Sequence, residues 1–388
     1  MKQEKKSNEK RIRPTAGKKW VLFFLAAAAL VAVSCQKEIA DPSASADAAP
    51  GKAASKMPKA PVVVVQAGSS IQAAVNSAEA GTVIKIEAGI YKESVVVNKP
   101  NMTLMGEDGV IIQNPGEEEN GITVRDAGDG FTLKNVTVRD FEENGVILIR
   151  VDGFLLSHVS TIDNGEYGLF PVFSTNGVIE HCVATGHSDT GIYVGQSSHV
   201  AINHNEAYGN VNGIEIENCS FVTADKNHSY DNVVGILSVL LPGLQVKEAS
   251  DIIITNNQVQ DNNHVNFAEP GETESFVPSG SGILVVGTDN MLVKDNHVSG
   301  NNFTGIAVVS TLVLGALANL PPEAFADIEP NPDGVKVVSN LVKDNGAAPP
   351  AGLPFPGVDL LWDGSGNGNC WSRNIYNTSY PPVLPACQ

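Results

Sequence analysis

The sequence is short of positive charge: 25 Lys and Arg stand against 43 Asp and Glu, a net −18 over 388 residues. Eight of those cations lie between Lys2 and Lys19, so the chain beyond residue 34 keeps 17 against 41 acids, a net −24. Such a surface excludes nucleic acid and anionic lipid headgroups as partners. It also disfavours polyanionic glycans unless a divalent cation bridges the charges. Long apolar runs are missing too: the longest, within Trp20–Ser34, falls short of the roughly 20 residues that a permanent membrane helix needs. The spacing between strand-like pieces leaves no room for helical crossovers, which excludes βαβ units. Cysteine is sparse, at five residues.

What is present begins with a basic stretch and a short apolar run, the pattern of a secretory signal over residues 1–34. The run ends in Val31-Ala32-Val33-Ser34-Cys35, which resembles the bacterial lipobox. That resemblance implies a diacylated Cys35 as the new N-terminus; an ordinary cleavage site with an incidental Cys is the alternative. Residues 35–61 are rich in Ala, Ser, Pro, Lys and Asp without apolar periodicity. They read as a flexible tether reaching roughly 25–30 Å. Gln36-Lys37-Glu38 resembles the surface-export signal of bacterial lipoproteins, which implies an outer-membrane lipoprotein, on either face, touching the membrane through its lipid alone.

Internal repetition decides the fold. Gly followed by alternating apolar residues recurs at Gly121, Gly145, Gly168, Gly191, Gly213, Gly235, Gly282 and Gly305, with spacings of 22 to 24 and a single 47. The 47 is two coils, or one coil with a long insertion. Half a period away, short β-branched strands end near Asn135, His158, His181, Asn205, Asn227, Asn257, Asn296 and Asn340. Asn suits such corners because it tolerates left-handed backbone and can bond its amide to the next coil. Strands this short stack coil on coil about 4.8 Å apart. The expected fold is all-β: a right-handed, single-stranded parallel β-helix over 62–346, about ten coils long. An amphipathic helix from Ile71, capped by Ser69 or Ser70, covers its N-terminal end. The Pro/Gly-rich segment 347–388, with Trp362 and Trp371, is expected to cap the other end. Cys370 and Cys387 lie there, as a disulfide or as unrelated thiols. Cys182 and Cys219 differ in repeat position and should not stack. Such a rod is expected to be a monomer.

The N-terminal helix with its following Gly-Ile-Tyr-Lys-Glu turn resembles the opening segment of pectin-lyase-like β-helix proteins. SDTGIYVGQS at 188–197 and GIEIEN at 213–218 resemble a bacterial family of parallel β-helix repeat proteins, over roughly residues 65–370. Members of that family have no settled biochemical activity, so the resemblance implies the fold and names no reaction. Alginate epimerases carry a Tyr-Gly-Phe-Asp-Pro-His run. Here Tyr167 and Pro171 remain, but Phe170 and Val172 replace the acid and the His. The motifs of polygalacturonases and pectin methylesterases are absent, and a uronate-processing site is disfavoured.

Candidate site residues follow from the repeat. Glu143, Glu166 and Asp189 share one position in three coils, where they either bind Ca²⁺, carry a raised pKa, or diverge into solvent. Tyr193, Glu215 and Glu217 should point out of the next strand, with Glu215 over Tyr193. Glu215 and Glu217 would then be about 6.6–7 Å apart, near the lower limit for inverting glycosidases. Asp189, Glu215, Glu217 and His187 are the candidate catalytic groups. Tyr167, Tyr193, Gln196 and Asn218 are the candidate sugar contacts. The other reading is a polar, solvated sheet face. Three insertions, Ser238–Ser250, His264–Ser279 and Thr311–Asp333, are expected to wall a groove if one exists; the apolar last one could instead pack the C-terminal cap. Two functions remain open: a lipoprotein that binds or cleaves polysaccharide, with Ca²⁺ as its one candidate cofactor, or a non-enzymatic scaffold.

Overall fold

The computed structural model describes residues 60–388. The signal, Cys35 and nearly all of the tether lie outside the described residues.

Alternating apolar residues in short strands leave each coil with one dry face, which only the next coil can cover. The strands accordingly pair in parallel and stack into three ladders. One of these, the glycine sheet, holds eleven strands from Val95–Val97 to Ser379–Tyr380. The other two are joined through the long strands Phe131–Arg139 and Asp152–Ile162. Each long strand bends midway at a residue with left-handed backbone, Asn135 (φ 54°) or His158 (φ 56°). Ile122, Val146, Leu169, Ile192, Ile214, Ile236, Ile283, Ile306 and Leu360 form one continuous interior column, each fully buried. The recurrent Gly is a matter of distance: a Cβ at Gly168 would lie 2.4 Å from the Gly191 carbonyl of the next coil. Val234–Val239 pairs directly with Ser281–Val286, so the 47-residue interval is one coil carrying long insertions.

Two ladders of amides run along the interior corners, buried except at their last rungs, Asn345 and Asn374. In one, Asn205, Asn227, Asn257, Asn296, Asn340 and Asn374 each accept from the backbone N–H of the previous rung or of Cys182 at its start. In the other, Asn210, Asn232, Asn262, Asn301 and Asn345 do the same, with His187 as a lower rung. The corner residue and the ladder Asn, which the sequence pattern presents as one position, are two neighbouring positions. The left-handed corner residue is His204, Lys226, Asn256, Asp295 or Ser339, and the ladder Asn follows it. An exposed residue that turns the chain and a buried one that satisfies it are separate requirements, so the turn tolerates His and Lys while the ladder keeps Asn.

Helix Ile71–Ser77 covers the N-terminal end, and the Ser70 hydroxyl caps it by accepting from Ala73 N–H at 3.1 Å. Parallel stacking does not stop at residue 346. Val358–Trp362 and Cys370–Ser372 continue two ladders. Pro and Gly in the connecting loops hide these strands in the sequence. Cys370 and Cys387 form a disulfide, while Cys182 and Cys219 are free, buried and on different ladders.

Candidate active site

The outward positions of the glycine sheet change character along the rod. Register stacks Phe170, Tyr193, Glu215, Leu237, Leu284, Ala307 and Leu361 in successive coils. This face is not a solvated one. Tyr193 is 5% exposed and Glu215 only 2%, because the insertions fold over it. Gln196 Oε1 accepts from the N–H groups of Gln245 and Val246. The Asn218 amide bonds the Leu241 backbone in both directions and Val246 O. Both side chains therefore pin the first insertion, and the structure gives their amides to the chain rather than to a sugar. The Thr311 hydroxyl donates to Leu240 O, and Lys247 pairs with Asp327, so the third insertion is tied to the first.

The second insertion supplies the residue that the repeat could not reveal. Glu274, in the short 3₁₀ turn Thr273–Phe276, meets Asp189 and Glu215, with one carboxylate oxygen of each lying within 4.8 Å of the other two. Thr190 Oγ1 lies 2.8 Å from Asp189 Oδ1 and 2.6 Å from Glu215 Oε2, and Asn212 Nδ2 donates to the same Glu215 oxygen at 3.0 Å. Tyr193 OH donates to Glu217 Oε1 at 2.6 Å. Tyr167, Phe170 and Tyr193 pack ring on ring, with centroids 4.4 to 5.2 Å apart. A cleft opens from this cluster between Glu166, Tyr167 and Asp189 on the sheet and Ala268–Glu274 above it.

Electrostatics here follow from burial without cations. None of the described ion pairs includes these carboxylates. Desolvation, then Glu274, holds Asp189 well above the carboxylate range, against the opposing bonds from Tyr167 and Thr190. Glu215 is raised in the same way by burial and by Asp189. Burial pushes Glu217 up to about 7 despite its bond from Tyr193. Burial and Glu143 bring Glu166 to about 7. The expected acidic stack is real: Glu166 N–H donates to Glu143 O and Asp189 N–H to Glu166 O. It begins one coil earlier than expected, at Glu119, whose carbonyl accepts from Glu143 N–H.

His187 is no part of the cleft. It is fully buried, with ring nitrogens 3.2 Å from Asn164 O, Thr161 O and Thr161 Oγ1. Burial lowers its pKa to about 4, so it is neutral and occupies an amide rung. His187→Asn should therefore leave both ligand binding and catalysis unchanged. A large loss of turnover in that variant, with its melting point retained, would reinstate the imidazole as a reacting group.

A family profile described as "Right handed beta helix region" matches residues 120–240 and 236–313. The chain belongs to the right-handed β-helix family. No curated protein matches this β-helix in sequence. Among solved structures, it is similar to the A-module of mannuronan C-5 epimerase AlgE4 from Azotobacter vinelandii: 17% identity, TM-score 0.61, covering 78% of this chain and 82% of that one. The AlgE6 A-module of the same organism gives 17% identity and TM-score 0.58, over 80% of this chain and 83% of that one. DFA-IIIase from Arthrobacter chlorophenolicus A6, without its lid, gives 13% and 0.52, over 79% and 88%. At these identities the likeness is one of fold, and this β-helix takes no residue assignments from it.

Proposed function

We propose that the protein is an envelope lipoprotein, anchored through Cys35 in the outer membrane, that binds and processes a carbohydrate in the acidic cleft. One observation carries the reading: Asp189, Glu215 and Glu274 share a nearly dry site within 4.8 Å, with no cation paired to them, beside the Tyr167–Phe170–Tyr193 rings. Carboxylates this close cannot all ionise, so one keeps a proton at neutral pH and can donate it to a leaving oxygen. Asp189 lines the cleft and takes that role; Glu215, which does not line it, is the coupled partner. One oxygen of Asp189 and one of Glu215 lie within 4.8 Å of each other, so the two groups share the proton between them. Glu217, held by Tyr193, orients the ring. The named epimerase neighbours support a carbohydrate substrate. Phe170 and Val172 stand where the alginate epimerase run has its acid and His, so proton abstraction from a uronate is not proposed.

The same three carboxylates fit a divalent cation, since two oxygens on one Ca²⁺ lie no more than about 5 Å apart. Asp189, Glu215 and Glu274 would hold it in their ionised forms, which takes away the proton Asp189 would donate, so the loaded cleft would bind an anionic glycan without cleaving it. Binding of the full chain to a glycan array, with and without Ca²⁺, tests both parts. Neutral glycans should bind without the ion and anionic ones only with it, and Tyr193→Ala with Glu215→Gln should remove both. Glycan binding that survives the double substitution would sink the site assignment. An unchanged melting point at pH 8 with added Ca²⁺ would remove the cation.

A further inference from the structure

The acidic cleft is short of hydrogen-bond donors as well as cations. Asp189 and Glu215 have Thr190, Asn212 and Tyr167 as donors. Glu274, half-buried, has its own backbone N–H, and no other side chain among the described residues donates to it. Asn212, fully buried, gives its amide hydrogens to Glu215 and Thr190 and leaves its own Oδ1 without a partner. Glu166, Glu269 and Glu272 add three more carboxylates to the walls of the cleft, whose volume is about 250 Å³. What the cluster leaves unpartnered is therefore acceptors. A sugar hydroxyl answers them with one donor and two lone pairs of its own, and an N-acetyl group with a further carbonyl oxygen. An ammonium group brings three donors, a positive charge and no lone pair.

We propose that the glycan taken by the cleft is an amino sugar with a free ammonium group, its nitrogen held by Glu274 and by the rim acids Glu269 and Glu272. This rests on the carbohydrate reading of the cleft and narrows it to cationic glycans. The number of charges carries the choice. A divalent ion would draw Asp189, Glu215 and Glu274 into their ionised forms together. A single positive charge pairs with Glu274 and leaves Asp189 and Glu215 to share one proton. The ammonium thus supplies the missing donors and counter-charge while the acid needed at the leaving oxygen stays in place.

The test is calorimetric titration of the full chain at about pH 6.5, where the amine is protonated. Salt is set at about 0.15 M, which screens exposed charges beyond about 8 Å. The probes are a β-linked glucosamine tetramer, the matching N-acetylglucosamine tetramer, and spermidine as a cation without a sugar ring. The glucosamine tetramer should bind about tenfold or more tightly than either of the others. Glu274→Gln should remove that preference, and Glu272→Gln on the exposed rim should reduce it about threefold. Glu142→Gln, an exposed acid off the cleft, should leave it unchanged, and melting curves confirm that each variant folds. Equal affinity for the two tetramers would overturn the ammonium preference and leave the carbohydrate reading standing. Spermidine bound as tightly as the glucosamine tetramer, with no binding of the N-acetylated one, would remove the sugar and the carbohydrate reading with it. A preference retained in both folded cleft variants, or lost equally in Glu142→Gln, would place the ammonium on the acidic surface at large and overturn the site.

Discussion

Glu215→Gln should raise the melting temperature at pH 8 and abolish turnover of whatever glycan the protein accepts. Opposite signs arise because the group is costly to hold. Glu215 is 2% exposed, faces Asp189 and Glu274, and has only Thr190 and Asn212 as donors. Its folded pKa is raised, so its contribution to stability is complete below the unfolded value, about 4.5, and is lost as pH rises through the folded one. Gln keeps the acceptor for Thr190 and Asn212 and offers an amide donor to the two remaining carboxylates. The gain should be clear at pH 8 and near zero at pH 4. Glu217 adds to the same pH dependence: a shift from 4.5 to about 7 costs on the order of 3 kcal/mol between those pH values. Calorimetry at both pH values checks the sign. Destabilisation by Glu215→Gln at pH 8 would mean that the carboxylate serves the fold.

Asn227→Ala should cost on the order of 3–5 kcal/mol, because it strands several buried groups in two coils at once. Asn227 Oδ1 accepts from both the backbone and side-chain nitrogens of Asn205, at 3.0 Å each, and its Nδ2 donates to Ile202 O at 2.8 Å. Asp cannot replace it, since a carboxylate has no donor for Ile202. The adjacent Lys226 gives the contrast. It is exposed, with φ 54°, and Gly adopts that backbone freely, so Lys226→Gly should be neutral or stabilising by up to about 1 kcal/mol. Denaturant melts of the two neighbours separate the ladder from the turn. Equal effects at both positions would mean the ladder amide contributes no more than its corner.

The glycine period made the coil legible because a geometric constraint, the approach of Gly168 to the Gly191 carbonyl, recurs in every turn. The stack of Glu143, Glu166 and Asp189, and the pairing of Tyr193 with Glu215, followed from the same register. Burial of that face was not legible. Alternation says which side chains leave the sheet, and says nothing of what folds over them. Glu274 could not be found because an insertion has no register. The signal available was its acidity, Glu269, Glu272 and Glu274 in one short loop, beside an unexplained acidic stack. Gln196 and Asn218 looked like sugar contacts for a related reason. They are polar and outward, yet each sits at a left-handed corner (φ 48° and 47°) where an insertion needs backbone partners. The apolar third insertion is explained as well: its helix closes over Leu237, Leu284 and Ala307 as a second core outside the coil.

The measurement closest to the central claim is glycan turnover by the full chain and by Asp189→Asn, with Glu142→Gln as an exposed acidic control off the cleft. Reducing-sugar release on the glycans that bind in the array is the readout, followed from pH 5 to pH 9. Turnover should fall by about a hundredfold or more in Asp189→Asn and persist in the control at every pH at which the parent is active. Turnover by Asp189→Asn equal to that of the parent would contradict the assignment of the acidic cleft as the place where this β-helix does its chemistry.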